Sequence, residues 1–232
     1  MANFLRMLLG LLLLPVCCGM FCALSDMIIR VSGSEGVFSI DSLSLLSGIV
    51  VFFLCWCLIS KPVKAYVLGH ELTHAIWGLV FGAVPSKLKV GKNGGSVMLT
   101  KTNIFITLAP YFFPFYTFLV IIIALVTYAF MRPLPCLPLW LFAIGFTWAF
   151  HILFTLETLS QRQPDVMEYG RLFSWVFIFI FNLLLVIVWL VCTSKVTFAA
   201  CALLIVERVA GCYAWVLSLA AGAIRYFRAM GE

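Results

Sequence analysis

The chain has 232 residues, 64% of them hydrophobic and only 10% charged, with a mean hydropathy of +1.15. A soluble domain of this size is not built that way; several apolar runs are long enough to cross a bilayer, so composition points to a polytopic helical membrane protein. The formal net charge is +6, but the basic residues lie mainly in short loops and the C-terminal tail, which suits membrane topology and argues against a nucleic-acid partner.

Apolar runs bounded by charge, proline and glycine give the predicted elements. The first span is Phe4 to Leu24, read as a retained helix; a cleaved signal peptide ending near Ala23-Leu24-Ser25 is the rival. A polar loop over Ser25 to Asp41 follows, with Asp26, Arg30, Glu35 and Asp41. The second span is Leu43 to Ile59, and Lys61-Pro62-Val63-Lys64 is a short basic link. A further helix runs from about Val63 to Phe81 and ends at Gly82 and Pro85.

Ser86 to Lys101 reads as a β hairpin. Lys87 and Lys89 alternate with Leu88 and Val90, Asn93-Gly94-Gly95 supplies a turn, and Ser96 to Thr100 is a second strand. Within a helical membrane protein its backbone groups must be paired or wet, so it belongs at a membrane edge or in a protein-lined cavity. Asn103 to Phe130 is a third long span, kinked or unwound at Pro110 and Pro114. Leu139 to Leu159, Leu172 to Val191 and Phe198 to Ile224 complete the set, followed by the basic tail Arg225 to Arg228. The expected fold is an all-α polytopic membrane protein with about six transmembrane helices, an additional helix over 63–81 and a short hairpin, all in one membrane-embedded domain over 1–232. By the positive-inside rule the basic links are cytoplasmic and the acidic loop after the first span is outside, provided the helix over 63–81 enters and leaves on one side or its hairpin folds back into the membrane. The nine cysteines lie mostly in or beside apolar segments without a C-x-x-C pair, and read as small apolar residues rather than disulfides.

The helix over 63–81 carries the chemistry. His70-Glu71-Leu72-Thr73-His74 is an H-E-x-x-H motif and uses two of the three histidines in the chain. Residues four apart share a helix face, so His70 and His74 can point at one metal ion, with Glu71 placed as general base for the water it activates. Polar residues within an apolar helix are expensive and tend to be functional. A catalytic zinc site needs a third protein ligand. Asp165, after a proline at the mouth of two spans, is the first choice, with Glu168 and Glu157 as weaker rivals. His151, alone in mid-span, is a ligand, a hydrogen-bond donor to the tetrahedral intermediate or a satisfied core histidine. In Ala109-Pro110-Tyr111-Phe112-Phe113-Pro114 the aromatics read as packing in preference to cavity walls. Glu207-Arg208 mark a helix break, an inter-helix contact or a water-lined cavity.

The motif in an apolar helix, then a hairpin, further spans and a late aspartate, resembles the site-2-protease family of intramembrane zinc metalloproteases. The resemblance covers about Lys61 to Asn182. It implies cleavage of peptide bonds in or near membrane-embedded segments of a substrate protein, Zn2+ as cofactor and Asp165 as the third ligand. The family places that aspartate in a Leu-Asp-Gly motif; here Gln163-Pro164-Asp165-Val166 stands in its place and Gly170 comes five residues later. The hairpin strand Ser96 to Thr100, with Asn103, would hold an unwound substrate segment by strand addition; the equal alternative is a plain amphipathic hairpin docked on the membrane. The implied partners are a membrane-protein substrate and the lipid bilayer, in a bacterial-type inner membrane or a plasma membrane. The alternative is a non-catalytic membrane protein of the same fold that binds a partner or substrate; an intact Glu71 argues against it. A metal transporter would be expected to spread polar residues over several spans.

Overall fold

The computed structural model describes residues 2–35, 39–91, 94–194 and 196–230. The chain is an all-α polytopic membrane protein carrying one small antiparallel hairpin. In order it runs α1 (Ala2–Glu35), α2 (Ile40–Leu58), α3 (Val63–Val80), β1 (Pro85–Gly91), β2 (Gly94–Leu99), α4 (Ile104–Phe112), α5 (Phe115–Phe130), α6 (Leu137–Ser160), α7 (Pro164–Tyr169), α8 (Arg171–Thr193) and α9 (Phe198–Met230). Among the described residues, α1, α2, α6, α8 and α9 are long and apolar enough to cross a membrane, and α4 with α5 makes a sixth span if the bent pair counts as one. The chain divides into two compact units, Met1–Gly36 with Tyr169–Glu232, and Val37–Glu168.

In the first unit, α1 packs against α8 and α9 around Met20, Ala23, Met27, Leu183, Ile187 and Leu204. Helix α1 continues to Glu35, so Ser25 to Glu35 is helical where the sequence reads as a loop. The reason is tertiary. Asp26 pairs with Arg208 of α9 at 2.6 Å, and a paired charge does not force an apolar helix to end. Of the three readings open for Glu207-Arg208, Arg208 takes the inter-helix contact. Gly36 lies outside the described residues, and Asp41 sits in the first turn of α2, where the helix dipole favours an acid.

The second unit contains the motif. Helices α2 and α6 pack along their length and cross at glycines: a Cβ on Gly48 would meet the Phe142 carbonyl, and one on Gly145 the Leu45 carbonyl. Small residues at such crossings let backbones approach where lipid offers no hydrophobic drive for association. Helix α3 ends as its sequence dictates. Gly82 takes φ +71°, Gly82 N–H donates to Leu79 and Ala83 N–H to the Gly78 carbonyl at 2.7 Å, which is the Schellman arrangement.

The hairpin pairs Lys89 with Ser96, Val90 with Gly95 and Gly91 with Gly94. Gly94 and Gly95 therefore belong to β2 rather than to the turn, and Asn93 lies outside the described residues. Both strands pack on α3. The span over 103–130 is broken as the prolines require, with a 76° bend between α4 and α5. The break falls at Pro114; Pro110 stays inside α4.

Candidate metal centre

His70 and His74 stand one turn apart on α3, their rings 4.9 Å centre to centre. Helix α7 brings Asp165 to them: its Oδ2 lies 3.4 Å from His70 Nε2 and 3.6 Å from His74 Nε2. This group of two imidazoles and a carboxylate could hold a metal ion. Burial alone would raise the Asp165 carboxyl, but the two imidazoles outweigh it and hold the group well below the usual carboxylate range. At neutral pH it is an anion, a donor suited to a metal ion.

Each ligand is oriented by a second contact. His74 Nδ1 donates to the Ile106 carbonyl at 2.8 Å, which leaves Nε2 as the nitrogen available to a metal ion. The sequence supplies that acceptor through a missing donor. In an unbroken helix the Ile106 carbonyl would accept from residue 110; residue 110 is proline and has no N–H. Pro110 thus frees a carbonyl of α4 for an imidazole of α3. Near His70 Nδ1, the Tyr66 hydroxyl stands at 3.4 Å, its ring stacked on Phe154 with centroids 4.7 Å apart.

Tyr111 holds the carboxylate. Its hydroxyl donates to Asp165 Oδ2 at 2.9 Å, the residue is fully buried, and its ring meets His70 edge-on at 5.3 Å. Read from sequence, Tyr111 belongs with the packing aromatics; in the structure its polar end belongs to the site. The signal available was the hydroxyl itself, since a tyrosine deep in an apolar segment needs a partner.

Glu71 is buried against the hairpin. A Cβ on Gly95 would stand 2.7 Å from Glu71 Cγ. The site opens into a cavity of about 820 Å³ lined by His70, Glu71 and His74, by Gly94 to Val97 of β2, and by Glu157, Pro164, Asp165 and Glu168. Lys61, also in the wall, pairs with Glu157 and lies 4.2 Å over the Trp56 ring. Glu157 is therefore engaged away from the two histidines, and Glu168 lines the cavity outside the His-His-Asp group.

Asn103 is the N-cap of α4, accepting from Ile106 N–H at 3.0 Å. It supports the helix that carries Ile106 and Tyr111. His151, on α6, is buried, with no hydrogen-bond partner for its Nε2 among the described residues. No protein-family model, curated protein or solved structure matches the chain.

Proposed function

We propose that this chain is an intramembrane zinc endopeptidase of the site-2-protease type, hydrolysing peptide bonds in or near transmembrane segments of substrate proteins. The setting is a bacterial-type inner membrane or a plasma membrane. The observation that carries the reading is the convergence of His70, His74 and Asp165 beside a buried Glu71, at a cavity with a strand edge along one side. The donor set favours zinc. Tetrahedral zinc with bonds of about 2.0–2.2 Å separates its donors by roughly 3.3–3.6 Å, and the Asp165 oxygen lies 3.4 and 3.6 Å from the two imidazole nitrogens. Three protein ligands leave the fourth position for water.

A zinc ion held there supplies Lewis acidity, which makes water nucleophilic at neutral pH and polarises the scissile carbonyl. The residues do the rest. Glu71 takes a proton from the attacking water and passes it to the leaving amine as the C–N bond breaks, so the acyl carbon keeps the hydroxyl and the amine leaves protonated. His74 is kept in the ligating tautomer by the Ile106 carbonyl, and Asp165 is steadied by Tyr111. A helical substrate must unwind before attack, because its carbonyls are already bonded. Strand β2 pairs with β1 on one edge and lines the cavity, so an unwound segment can add to its other edge beside Glu71.

Glu71→Gln tests the reading. The purified variant should keep its bound zinc while cleavage of a model transmembrane substrate falls by about 10²–10⁴-fold. Zinc retained with wild-type cleavage refutes Glu71 as the base. Zinc bound with no cleavage by the wild type favours the non-catalytic binding protein.

A further inference from the structure

Tyr66, His70 and His74 stand four residues apart in turn, so they share one face of α3. The Tyr66 hydroxyl lies 3.4 Å from His70 Nδ1, within hydrogen-bond reach. Which group donates follows from the other end of the ring. His70 Nε2 is the nitrogen that faces Asp165 Oδ2, at 3.4 Å, and a histidine nitrogen that ligates a metal carries no proton. The neutral ring then keeps its proton on Nδ1, so Nδ1–H donates and the Tyr66 oxygen accepts. The opposite polarity, with the tyrosine donating, leaves the proton on Nε2 and blocks the metal position.

The tyrosine is itself held in place. Its ring stacks on Phe154 of α6, with centroids 4.7 Å apart and planes 7° apart. Trp56 of α2 packs edge-on against Phe154 at 4.8 Å. A phenylalanine at position 66 would stack in the same way; what the tyrosine adds is an acceptor beside His70.

We infer that Tyr66 is a positioning residue of the metal centre, whose hydroxyl oxygen holds the His70 ring in the tautomer and orientation that present Nε2 to the metal. The inference rests on the metal-hydrolase reading of the same site. It gives His70 the counterpart of the Ile106 carbonyl at His74: one ligand is oriented by a backbone acceptor on α4, the other by a side chain one turn earlier on α3. Coordination at Nε2 draws electron density from the ring and makes Nδ1–H a stronger donor, so the contact counts most with metal bound.

The test is Zn2+ affinity of the full chain in detergent, measured by chelator competition, beside the visible spectrum of the Co2+-loaded chain, for wild type, Y66F and Y116F. Y66F keeps the stacked ring and should bind zinc about tenfold more weakly, with the Co2+ bands shifted. Y116F is the control for a lost tyrosine hydroxyl, since Tyr116 donates to the Ala65 carbonyl. Its zinc affinity should stay within about twofold of wild type, with the Co2+ spectrum unchanged. Y66L, which also lacks the acceptor, replaces Y66F if the latter fails to fold. Wild-type zinc affinity without the Tyr66 hydroxyl, or an equal loss in Y116F, overturns the inference and leaves the metal centre standing. Absence of zinc binding by the wild type overturns both.

Discussion

Tyr111 donates its hydroxyl proton to Asp165 Oδ2, the oxygen that also faces both motif histidines. The two residues are 54 positions apart and lie on different elements, α4 and α7. Helix α7 has only six residues, too short to be stable by itself, so the placement of Asp165 depends on such contacts. Tyr111→Phe keeps the ring and removes the hydrogen bond. Zinc affinity should fall about tenfold, within the range found when a ligand loses its orienting partner, with the helical circular dichroism unchanged. Asp165→Ala sets the reference for full loss of the ligand. An affinity for Tyr111→Phe equal to wild type would return Tyr111 to plain packing.

Pro110→Ala makes an unusual prediction because it repairs a helix. Alanine restores the N–H that an α-helix directs to the Ile106 carbonyl, in competition with His74 Nδ1. Thermal stability should rise or hold, since proline inside a helix costs about 3 kcal/mol relative to alanine. Zinc affinity should fall several-fold at the same time. Chelator competition and a melting curve on one preparation separate the two effects; a rise in both would contradict the role given to the freed carbonyl.

Gly95 leaves room for Glu71. A methyl group there would stand 2.6 Å from Val67 Cγ1, 2.7 Å from Glu71 Cγ and 2.9 Å from Glu71 Oε1. Gly95→Ala must shift the hairpin, Glu71 or both. Since none of the three candidate ligands is among these neighbours, zinc should stay bound at wild-type affinity. Cleavage should drop by about 10²-fold, the scale expected when a catalytic group is misplaced by about 1 Å. Steady-state kinetics beside metal analysis decides; full activity would mean that Glu71 moves aside without consequence.

Gly145 tests the frame. Its added Cβ would meet the Leu45 carbonyl, which is backbone and cannot turn away. Gly145→Ala should destabilise the packing of α2 on α6 by about 1–3 kcal/mol, as overpacking does elsewhere. Gly222→Ala is the control, since a Cβ there meets nothing within 4 Å. Apparent melting temperatures in detergent should differ between the two, with only Gly145→Ala lowered.

The sequence by itself determined the parts that depend on neighbours along the chain. Apolar runs located α2, α5, α6, α8 and α9, because crossing a bilayer is a matter of length and composition. The four-residue spacing placed His70 and His74 on one face, because helical periodicity is local. Gly82 ended α3, and Pro114 broke the span over 103–130 while Pro110 stayed within α4, because backbone donors and φ angles are properties of single residues. Only the tertiary structure decided the rest. It brought Asp165, and not Glu157 or Glu168, beside the two histidines, gave the Tyr111 hydroxyl its partner in Asp165, and carried α1 past Asp26 by pairing it with Arg208. Each of these joins residues on different elements. Their geometry is set by how the helices pack, which no periodicity along the chain records.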